Sequence, residues 1–399
     1  MIVLLSKSEG GSPARIRARV TAAAARSEHY PGSGPEHLKP VMPPVVSRRS
    51  LLSFQAPLYR SVPHPDDTCV SANGCRACVD VCPQGALDWS RGAVQHDRLA
   101  CASCGRCITA CPIGAMVDPA YTPAQIHAEV VGLAEGAAER FGVIYRCGRT
   151  PAAEAATGWF NVAVPCVGML PPHWVIAPLL LGASTVTVST CGCGLEPDSD
   201  RRRADAVEFA RRWLDAAGVA PEVRIPDSPT GDLLEPLGLV GVENPYLPAG
   251  AADIAAALGP VLVEGESSPL GVVTIDETAC TGCEMCATVC PSEALRVASV
   301  DGRLAIEFDP SVCTACRQCT GRCPELGAIE VRAVVDTAEL AVGYRTLVEH
   351  RLTKCVRCGG TVAPEAALDR IAEALGEDAE ALKQIRSVCL DCRGTTMVF

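Results

Sequence analysis

The chain has 399 residues, 48% of them hydrophobic, and no stretch approaches the ~18 uninterrupted apolar residues of a membrane-spanning helix. Aromatic residues make up only 4%, whereas there are 35 glycines, 31 prolines and 24 cysteines. The formal net charge of −11 argues against a general nucleic-acid binder, which would carry a strongly basic face. We therefore expect a soluble protein of about two to four domains, held together by something other than bulky aromatic cores.

Residues 1–64 are rich in Arg, Pro, Gly and Ser and lack sustained apolar periodicity, which predicts a mobile N-terminal tail. Within it, Arg48 and Arg49 lie in a stretch that resembles a twin-arginine export signal. Gln55 and Pro57 interrupt the apolar core that should follow. We interpret the stretch as an uncleaved docking or chaperone-binding segment, and we expect the chain to stay in the cytoplasm, where thiols remain reduced.

Sixteen cysteines fall into four runs, each ending in Cys-Pro. Three runs have the spacing Cys-x2-Cys-x2-Cys-x3-Cys-Pro, and the first differs only in a five-residue gap after its first cysteine. Disulfide frameworks belong to short secreted chains, and zinc knuckles do not need such evenly spaced thiolates, so the spacing indicates iron–sulfur clusters. The runs are Cys69, Cys75, Cys78 and Cys82; Cys101, Cys104, Cys107 and Cys111; Cys280, Cys283, Cys286 and Cys290; and Cys313, Cys316, Cys319 and Cys323.

The runs form two pairs, and each pair predicts two 4Fe-4S clusters. Three closely spaced thiolates wrap one cluster, and the fourth cysteine, ahead of the proline, binds the other cluster of the pair. Residues 65–121 and 261–335 are therefore predicted to be α+β ferredoxin-like dicluster modules. The crossed ligand sets are Cys69, Cys75, Cys78 and Cys111; Cys101, Cys104, Cys107 and Cys82; Cys280, Cys283, Cys286 and Cys323; and Cys313, Cys316, Cys319 and Cys290.

Both modules resemble the two-cluster bacterial ferredoxin family. The resemblance rests on the cysteine runs and on the small apolar turn after each Cys-Pro, such as Gly85-Ala86-Leu87, which should lead into a short strand. It implies one-electron transfer without bond chemistry at the cluster, because a fully ligated cluster has no open coordination site for a substrate.

Residues 122–260 predict an α/β central domain. Thr122 and Pro123 suit the N-cap and first residue of a helix that buries Ile126 and Val130 and ends near Gly142. Alternation of β-rich and helical segments predicts a parallel sheet covered by helices. The expected strands are residues 143–145, 162–164, 185–188 and 223–225. A helix at 203–217 should bury Val207, Ala210 and Leu214, and the Pro- and Gly-rich residues 226–271 should form a connector around a short helix at 252–258.

Four further cysteines follow the predicted strands of this domain: Cys147 the first strand, Cys166 the second, and Cys191 and Cys193 the third. Because the carboxyl ends of parallel strands meet at one edge of a sheet, we expect the four thiols to converge. Four thiolates without Cys-x2-Cys spacing suit a 2Fe-2S cluster. Two alternatives stay open: the thiols are simply small buried side chains, or Cys191 and Cys193 form a redox-active disulfide.

The order Arg146-Cys147, then Pro165-Cys166, then a strand ahead of Cys191, resembles the delta-subunit family of methyl-viologen-reducing hydrogenase. The resemblance implies a 2Fe-2S cluster at these cysteines. It also implies electron transfer between a hydrogenase or formate dehydrogenase and the flavoprotein of heterodisulfide reductase. The chain departs from that family in the close spacing of Cys191 and Cys193, which no histidine follows.

Two Cys-x2-Cys pairs near the C terminus predict a separate zinc-ribbon-like domain at residues 336–399. Structural tetrathiolate sites are most often zinc, which we expect here, with a rubredoxin-like iron or a 4Fe-4S cluster as alternatives. The predicted ligands are Cys355, Cys358, Cys389 and Cys392, and the helical insert between the pairs carries Leu368, Ile371 and Leu375 on one face.

The sequence contains no Ser-His-Asp order, Walker loop or Gly-x-Gly-x-x-Gly opening a helix, and it offers no substrate pocket. We expect an iron–sulfur electron-transfer subunit of a hetero-oligomeric cytoplasmic oxidoreductase. It would link a catalytic subunit, such as hydrogenase, formate dehydrogenase or another molybdoenzyme, to a flavoprotein, quinone or heterodisulfide-reductase-like acceptor. A maturation or assembly ferredoxin for a metalloenzyme is the alternative. A redox sensor is a third hypothesis, although no basic DNA-binding helix is evident.

Overall fold

The computed structural model describes residues 61–137, 140–150, 155–195, 197–229, 231, 233–238, 242–375 and 380–394. The predicted tail lies outside the described residues except for its last four, and so does the stretch around Arg48 and Arg49. Ser61–Phe399 make up one compact unit. Among the described helices, none is both long and apolar enough to cross a membrane.

The region of the first predicted module (residues 65–121), together with His64, contains two antiparallel strand pairs and short helices. His64 pairs with Val117 and Pro65 with Met116, so the start and the end of the module are tied together. A strand follows each Cys-Pro turn, as expected. The strands are β1 (His64–Pro65), β2 (Leu87–Ser90), β3 (Ala93–His96) and β4 (Met116–Val117), and the helices are α1 (Ala77–Asp80), α2 (Arg106–Thr109) and a 3-10 turn at Ser71–Asn73.

Helix α3 (Pro123–Gly136) opens the central domain (residues 122–260) as predicted. The Thr122 hydroxyl accepts from the backbone N–H of Gln125 at 3.2 Å, and the Gln125 side chain accepts from the N–H of Thr122 at 2.7 Å, which forms a capping box. Ile126 and Val130 are buried. The helix ends earlier than predicted, because Gly142 is already the first residue of the next strand.

A three-stranded parallel sheet forms the middle of this domain. Its strands are β5 (Gly142–Cys147), β6 (Trp159–Val164) and β7 (Thr185–Val188), in the order β6-β5-β7. The predicted parallel sheet is therefore confirmed for three strands. The fourth predicted strand is wrong: residues Pro221–Arg224 form a helical turn, α6, because Pro221 sits at its first position, where a missing N–H costs nothing.

Helices cover the sheet. Helix α5 begins five residues before the predicted start and buries Val207, Ala210 and Leu214, as expected. It packs against α4 (Pro172–Leu180), which in turn packs against β7 and α7 (Gly250–Leu258). The helices are α4 (Pro172–Leu180), preceded by a 3-10 turn at Val167–Met169, α5 (Asp198–Ala216) and α7 (Gly250–Leu258).

The second module (residues 261–335) contains two antiparallel sheets, one of which continues into the C-terminal region. The first sheet has the order β8-β12-β9 and the second the order β10-β11-β13-β14. Strand β8 lies within the predicted connector, so that part of the prediction is wrong. The strands are β8 (Leu262–Glu264), β9 (Gly271–Ile275), β10 (Leu295–Val300), β11 (Arg303–Phe308), β12 (Ile329–Asp336), β13 (Arg345–Lys354) and β14 (Thr361–Pro364). The helices are α8 (Met285–Thr288), a 3-10 turn at Pro310–Val312, α9 (Gln318–Arg322) and α10 (Thr337–Leu340).

Three helices complete the C-terminal region: α11 (Glu365–Leu375), α12 (Glu380–Ser387) and α13 (Leu390–Gly394). The predicted apolar face of the insert is only partly right. Leu368 is buried, but Ile371 and Leu375 are 37% and 55% exposed, and Ala372 takes the second buried position.

The buried hydrophobic side chains form cores whose limits differ from those of the domains predicted from the sequence. Leu87 and Ile108 of the first module share one core with Val143 and Trp174 of the central domain. The second module has a core that includes Phe308, but its residues Val263, Leu270 and Val335 belong to the first core. The first module and the central domain are therefore packed as one body around a common interior.

Candidate iron–sulfur and metal sites

The sixteen cysteines of the two modules line four small cavities. Each cavity is lined by three cysteines of one run and the last cysteine of the paired run, which is the crossed grouping expected from the spacing. We number these groups set 1 (Cys69, Cys75, Cys78, Cys111), set 2 (Cys82, Cys101, Cys104, Cys107), set 3 (Cys280, Cys283, Cys286, Cys323) and set 4 (Cys290, Cys313, Cys316, Cys319).

Short helices that start inside the runs place the cysteines around these cavities. Gly105, Glu284 and Arg317 adopt left-handed backbone conformations just before α2, α8 and α9, so the chain reverses tightly between ligands. Backbone N–H groups also point at sulfur: that of Ser103 donates to Cys101 Sγ at 3.3 Å, and that of Ala86 to Cys82 Sγ at 3.3 Å. Such donors tune the reduction potential of a cluster.

The raised pKa values of these thiols indicate that they need nearby positive charge in order to ionise. Burial, and after it the neighbouring thiols, raise the pKa of Cys78 and of Cys286 to about 12. Burial likewise raises the pKa of Cys313 to about 12. Four such thiols cannot ionise side by side unless positive charge lies among them, and the iron ions of a cluster supply it. The donor sets therefore fit 4Fe-4S clusters.

In the central domain, the structure brings three of the four predicted cysteines tightly together. The sulfur atoms of Cys147, Cys191 and Cys193 lie within 4.8 Å of one another at the carboxyl edge of the sheet. Cys191 Sγ and Cys193 Sγ are 2.7 Å apart. Cys166 is outside this group, although burial and then the neighbouring thiols, Cys166 among them, raise the pKa of Cys191. The site could hold a metal centre on three thiols, with a fourth close by.

Cys166 has a polar partner outside the group of three thiols. Its thiol donates to Ser199 Oγ at 3.3 Å, and Arg106 Nη2 donates to the same oxygen at 2.9 Å. Arg106 is 3% exposed, lies between two cysteines of set 2, and pairs with Asp198, whose pKa it lowers. Sequence reasoning missed Arg106, Asp198 and Ser199. An arginine between two ligand cysteines was the available signal, but its partners are 92 and 93 residues away.

The C-terminal cysteines form a compact group. The four Sγ atoms of Cys355, Cys358, Cys389 and Cys392 lie within 4.8 Å of one another, and those of Cys358 and Cys389 are 3.6 Å apart. Ligands at ~2.3 Å from one tetrahedral zinc ion would be about 3.8 Å apart, so the group fits a single ion. Backbone N–H groups of Cys389 and Cys358 lower the pKa of Cys355 to about 6, which keeps one thiolate present at neutral pH.

One large cleft lies where the central domain and the two modules meet, although no sequence motif suggested a pocket. Its volume is about 730 Å³, and Cys111, Cys316 and Met169 are among its lining residues. Charged side chains of both signs, including Arg202 and Asp205, also line it. The cleft therefore does not select for an anion or a cation by net charge alone.

Comparison with known protein families identifies the two cysteine-rich regions. Residues 68–115 and 267–326 each match the 4Fe-4S dicluster domain. These regions are ferredoxin-like iron–sulfur modules. The matches include every cysteine of sets 1 to 4, so the chain carries iron–sulfur domains of a kind suited to electron transfer. No curated protein matches the chain.

Proposed function

We propose that the chain is an iron–sulfur electron-transfer subunit of a larger cytoplasmic oxidoreductase. The observation that carries this proposal is the crossed grouping of sixteen cysteines around four cavities. Sets 1 to 4 would each hold one 4Fe-4S cluster. Fully ligated clusters exchange electrons and leave no coordination site for a substrate, so the chemistry belongs to partner subunits.

In the same proposal, the central domain holds a 2Fe-2S cluster on Cys147, Cys166, Cys191 and Cys193. The convergence of three of these thiols at one sheet edge supports it, together with the resemblance of this domain to the delta subunit of methyl-viologen-reducing hydrogenase. The catalytic partner would be a hydrogenase, a formate dehydrogenase or another molybdoenzyme. The acceptor would be a flavoprotein, a quinone or a protein related to heterodisulfide reductase.

A structural zinc ion would bind Cys355, Cys358, Cys389 and Cys392. The close grouping of the four sulfur atoms supports a single ion, and zinc is the usual occupant of structural tetrathiolate sites. Residues 65–121, 122–260, 261–335 and 336–399 would then each carry their own metal centres. Assembly of iron–sulfur clusters needs reduced thiols, and for this reason we place the chain in the cytoplasm.

Metal analysis of the full chain, purified without oxygen, tests the proposal. Four 4Fe-4S clusters, one 2Fe-2S cluster and one zinc ion give about 18 iron atoms and about one zinc per chain. About eight iron atoms would contradict the two-module assignment. Co-purification in a stoichiometric complex with a catalytic subunit supports an electron-transfer role, whereas transient binding to a metal-free enzyme supports the alternative, an assembly ferredoxin.

A further inference from the structure

The two modules touch each other directly, at residues next to their cluster ligands. The backbone N–H of Arg76, which follows Cys75 of set 1, donates to Gln318 Oε1 at 3.0 Å. Gln318 lies between Cys316 and Cys319 of set 4, and its Nε2 donates to the carbonyl oxygen of Cys316 at 3.4 Å. A path of few covalent bonds and one hydrogen bond therefore joins ligand loops of two different modules.

Arg322 adds a second connection at the same place. Its Nη2 donates to the carbonyl oxygen of Gly74 at 3.1 Å, and its guanidinium carbon is 5.6 Å from the centre of the Trp89 ring, within cation–π range. Gly74 is the last residue of the five-residue gap that distinguishes the first cysteine run from the other three. The unusual gap thus supplies part of the contact between modules.

Sets 1 and 4 also border the same cleft. Of the sixteen cysteines of the two modules, Cys111 of set 1 and Cys316 of set 4 line the cleft where the central domain and the two modules meet. Sets 1 and 4 are therefore the neighbouring pair across the module boundary.

The central cysteines border the first module at the loop that carries Cys104 and Cys107 of set 2. Gly105, between Cys104 and Arg106, packs so closely that a Cβ on it would be 2.6 Å from Met169 Sδ and 3.4 Å from Pro165 Cβ. Pro165 precedes Cys166, which joins Arg106 through Ser199. The central centre is thereby next to set 2.

From these contacts we infer that the redox centres form one linear path in the order central centre, set 2, set 1, set 4, set 3. Electrons cross between modules directly at the contact of Arg76 with Gln318. The central domain, although it lies between the modules in sequence, is an end of the path. This inference rests on the proposed function, since it orders the clusters that the function requires.

The order is tested by electron paramagnetic resonance of the full reduced chain, with one cluster removed at a time. Cys319→Ser removes set 4 and Cys286→Ser removes set 3, and both residues are equally buried cysteines of the second module. In a linear path, loss of set 4 leaves set 3 without a magnetic neighbour, so an uncoupled spectrum of one spin appears. Loss of set 3 leaves every remaining cluster coupled.

Equal uncoupled signals in the two variants would overturn the order, because each would then leave one isolated cluster in a module that does not couple to the other. Cys313→Ser and Cys280→Ser remove the same two clusters through different ligands, which guards against failure of one variant to fold. Iron content of the parent chain reports separately on the proposed function: a parent chain without clusters contradicts that function itself.

The position of the central centre is tested by measuring the spin relaxation of its 2Fe-2S signal. A 2Fe-2S centre next to set 2 should relax more slowly in Cys107→Ser, which removes set 2, and should be unchanged in Cys319→Ser. If loss of set 4 altered its relaxation as strongly as loss of set 2, the central domain would lie between the modules and the inferred order would be wrong.

Discussion

Arg106 donates a hydrogen bond to Ser199 Oγ at 2.9 Å, and this contact joins a cluster-binding loop of the first module to the central cysteines. Ser199 Oγ is also 3.3 Å from Cys166 Sγ. A hydroxyl can accept from one group and donate to another, so Ser199 can pass the polarisation of the Arg106 cation on to a Cys166 thiolate. Arg106 is 3% exposed, which leaves its charge poorly screened by water.

Replacement of this cation should make two centres harder to reduce. In Arg106→Gln we expect the midpoint potentials of the set 2 cluster and of the central centre to become more negative. The physical reason is that a nearby positive charge favours the reduced, more negative form of a cluster. Redox titration followed by electron paramagnetic resonance measures both values, and sets 3 and 4 serve as internal references.

Arg202→Gln is the matched control. Arg202 also pairs with Asp198, at 3.6 Å, but its side chain is 42% exposed and the structure gives it no bond to Ser199. Its replacement should leave both potentials nearly unchanged. Equal shifts in the two variants would mean that Asp198, and not the connection through Ser199, controls the centres.

The second prediction concerns the cysteines of the central domain. Cys166→Ser should abolish the 2Fe-2S signal, lower the iron content by about two atoms per chain and cut electron delivery to the acceptor. The four 4Fe-4S signals should persist, since their ligands lie in other parts of the chain. Ser199→Ala, which keeps all four thiols, should retain the 2Fe-2S signal. Full electron transfer by Cys166→Ser would show instead that these thiols are structural.

The C-terminal site should depend on its metal for structure. The hydrophobic cluster there is small, with Cys355, Val388 and Cys389 as its buried members, so the metal contributes much of the folding free energy. Cys358→Ser should lose zinc and keep its iron, and residues beyond Cys355 should become sensitive to proteolysis. Mass spectrometry of metals and of the cleavage products measures both effects.

Cys283→Ser provides the comparison, because Cys283 and Cys358 are both exposed cysteines. Loss of Cys283 should lower the iron content and leave the zinc in place. A drop of about one iron atom in Cys358→Ser, with zinc unaffected, would identify the C-terminal site as a rubredoxin-like iron.

Much of the central sheet could be predicted because it follows local rules. Apolar β-rich runs alternate with helical ones, and such alternation gives parallel strands whose carboxyl ends share an edge. The same logic placed Cys147, Cys191 and Cys193 together. It failed at residues 223–225, where β-branched residues suggested a strand but Pro221 starts a helical turn.

The contacts that could not be predicted from the sequence join residues that are far apart in the chain. Cys166 forms a hydrogen bond with Ser199, 33 residues later, and no periodic pattern in the sequence predicts that bond. The contact of Arg322 with Gly74 joins residues 248 positions apart. The order of the modules along the chain therefore suggested a central domain between two modules, whereas side-chain contacts bring the modules together.

Gly74 allows a last prediction about that contact. Its φ of +94° is unfavourable for any residue that has a Cβ. A Cβ at this position would be 3.1 Å from Arg322 Nη2. Gly85 also has a positive φ, +58°, but a Cβ there would meet nothing within 4 Å. Gly74→Ala and Gly85→Ala should each lose about 1–2 kcal/mol of stability from backbone strain. Only Gly74→Ala should also displace Arg322 and weaken the magnetic coupling of sets 1 and 4. Thermal unfolding and electron paramagnetic resonance separate the two effects, and unchanged coupling in Gly74→Ala would show that Arg322 does not hold the modules together.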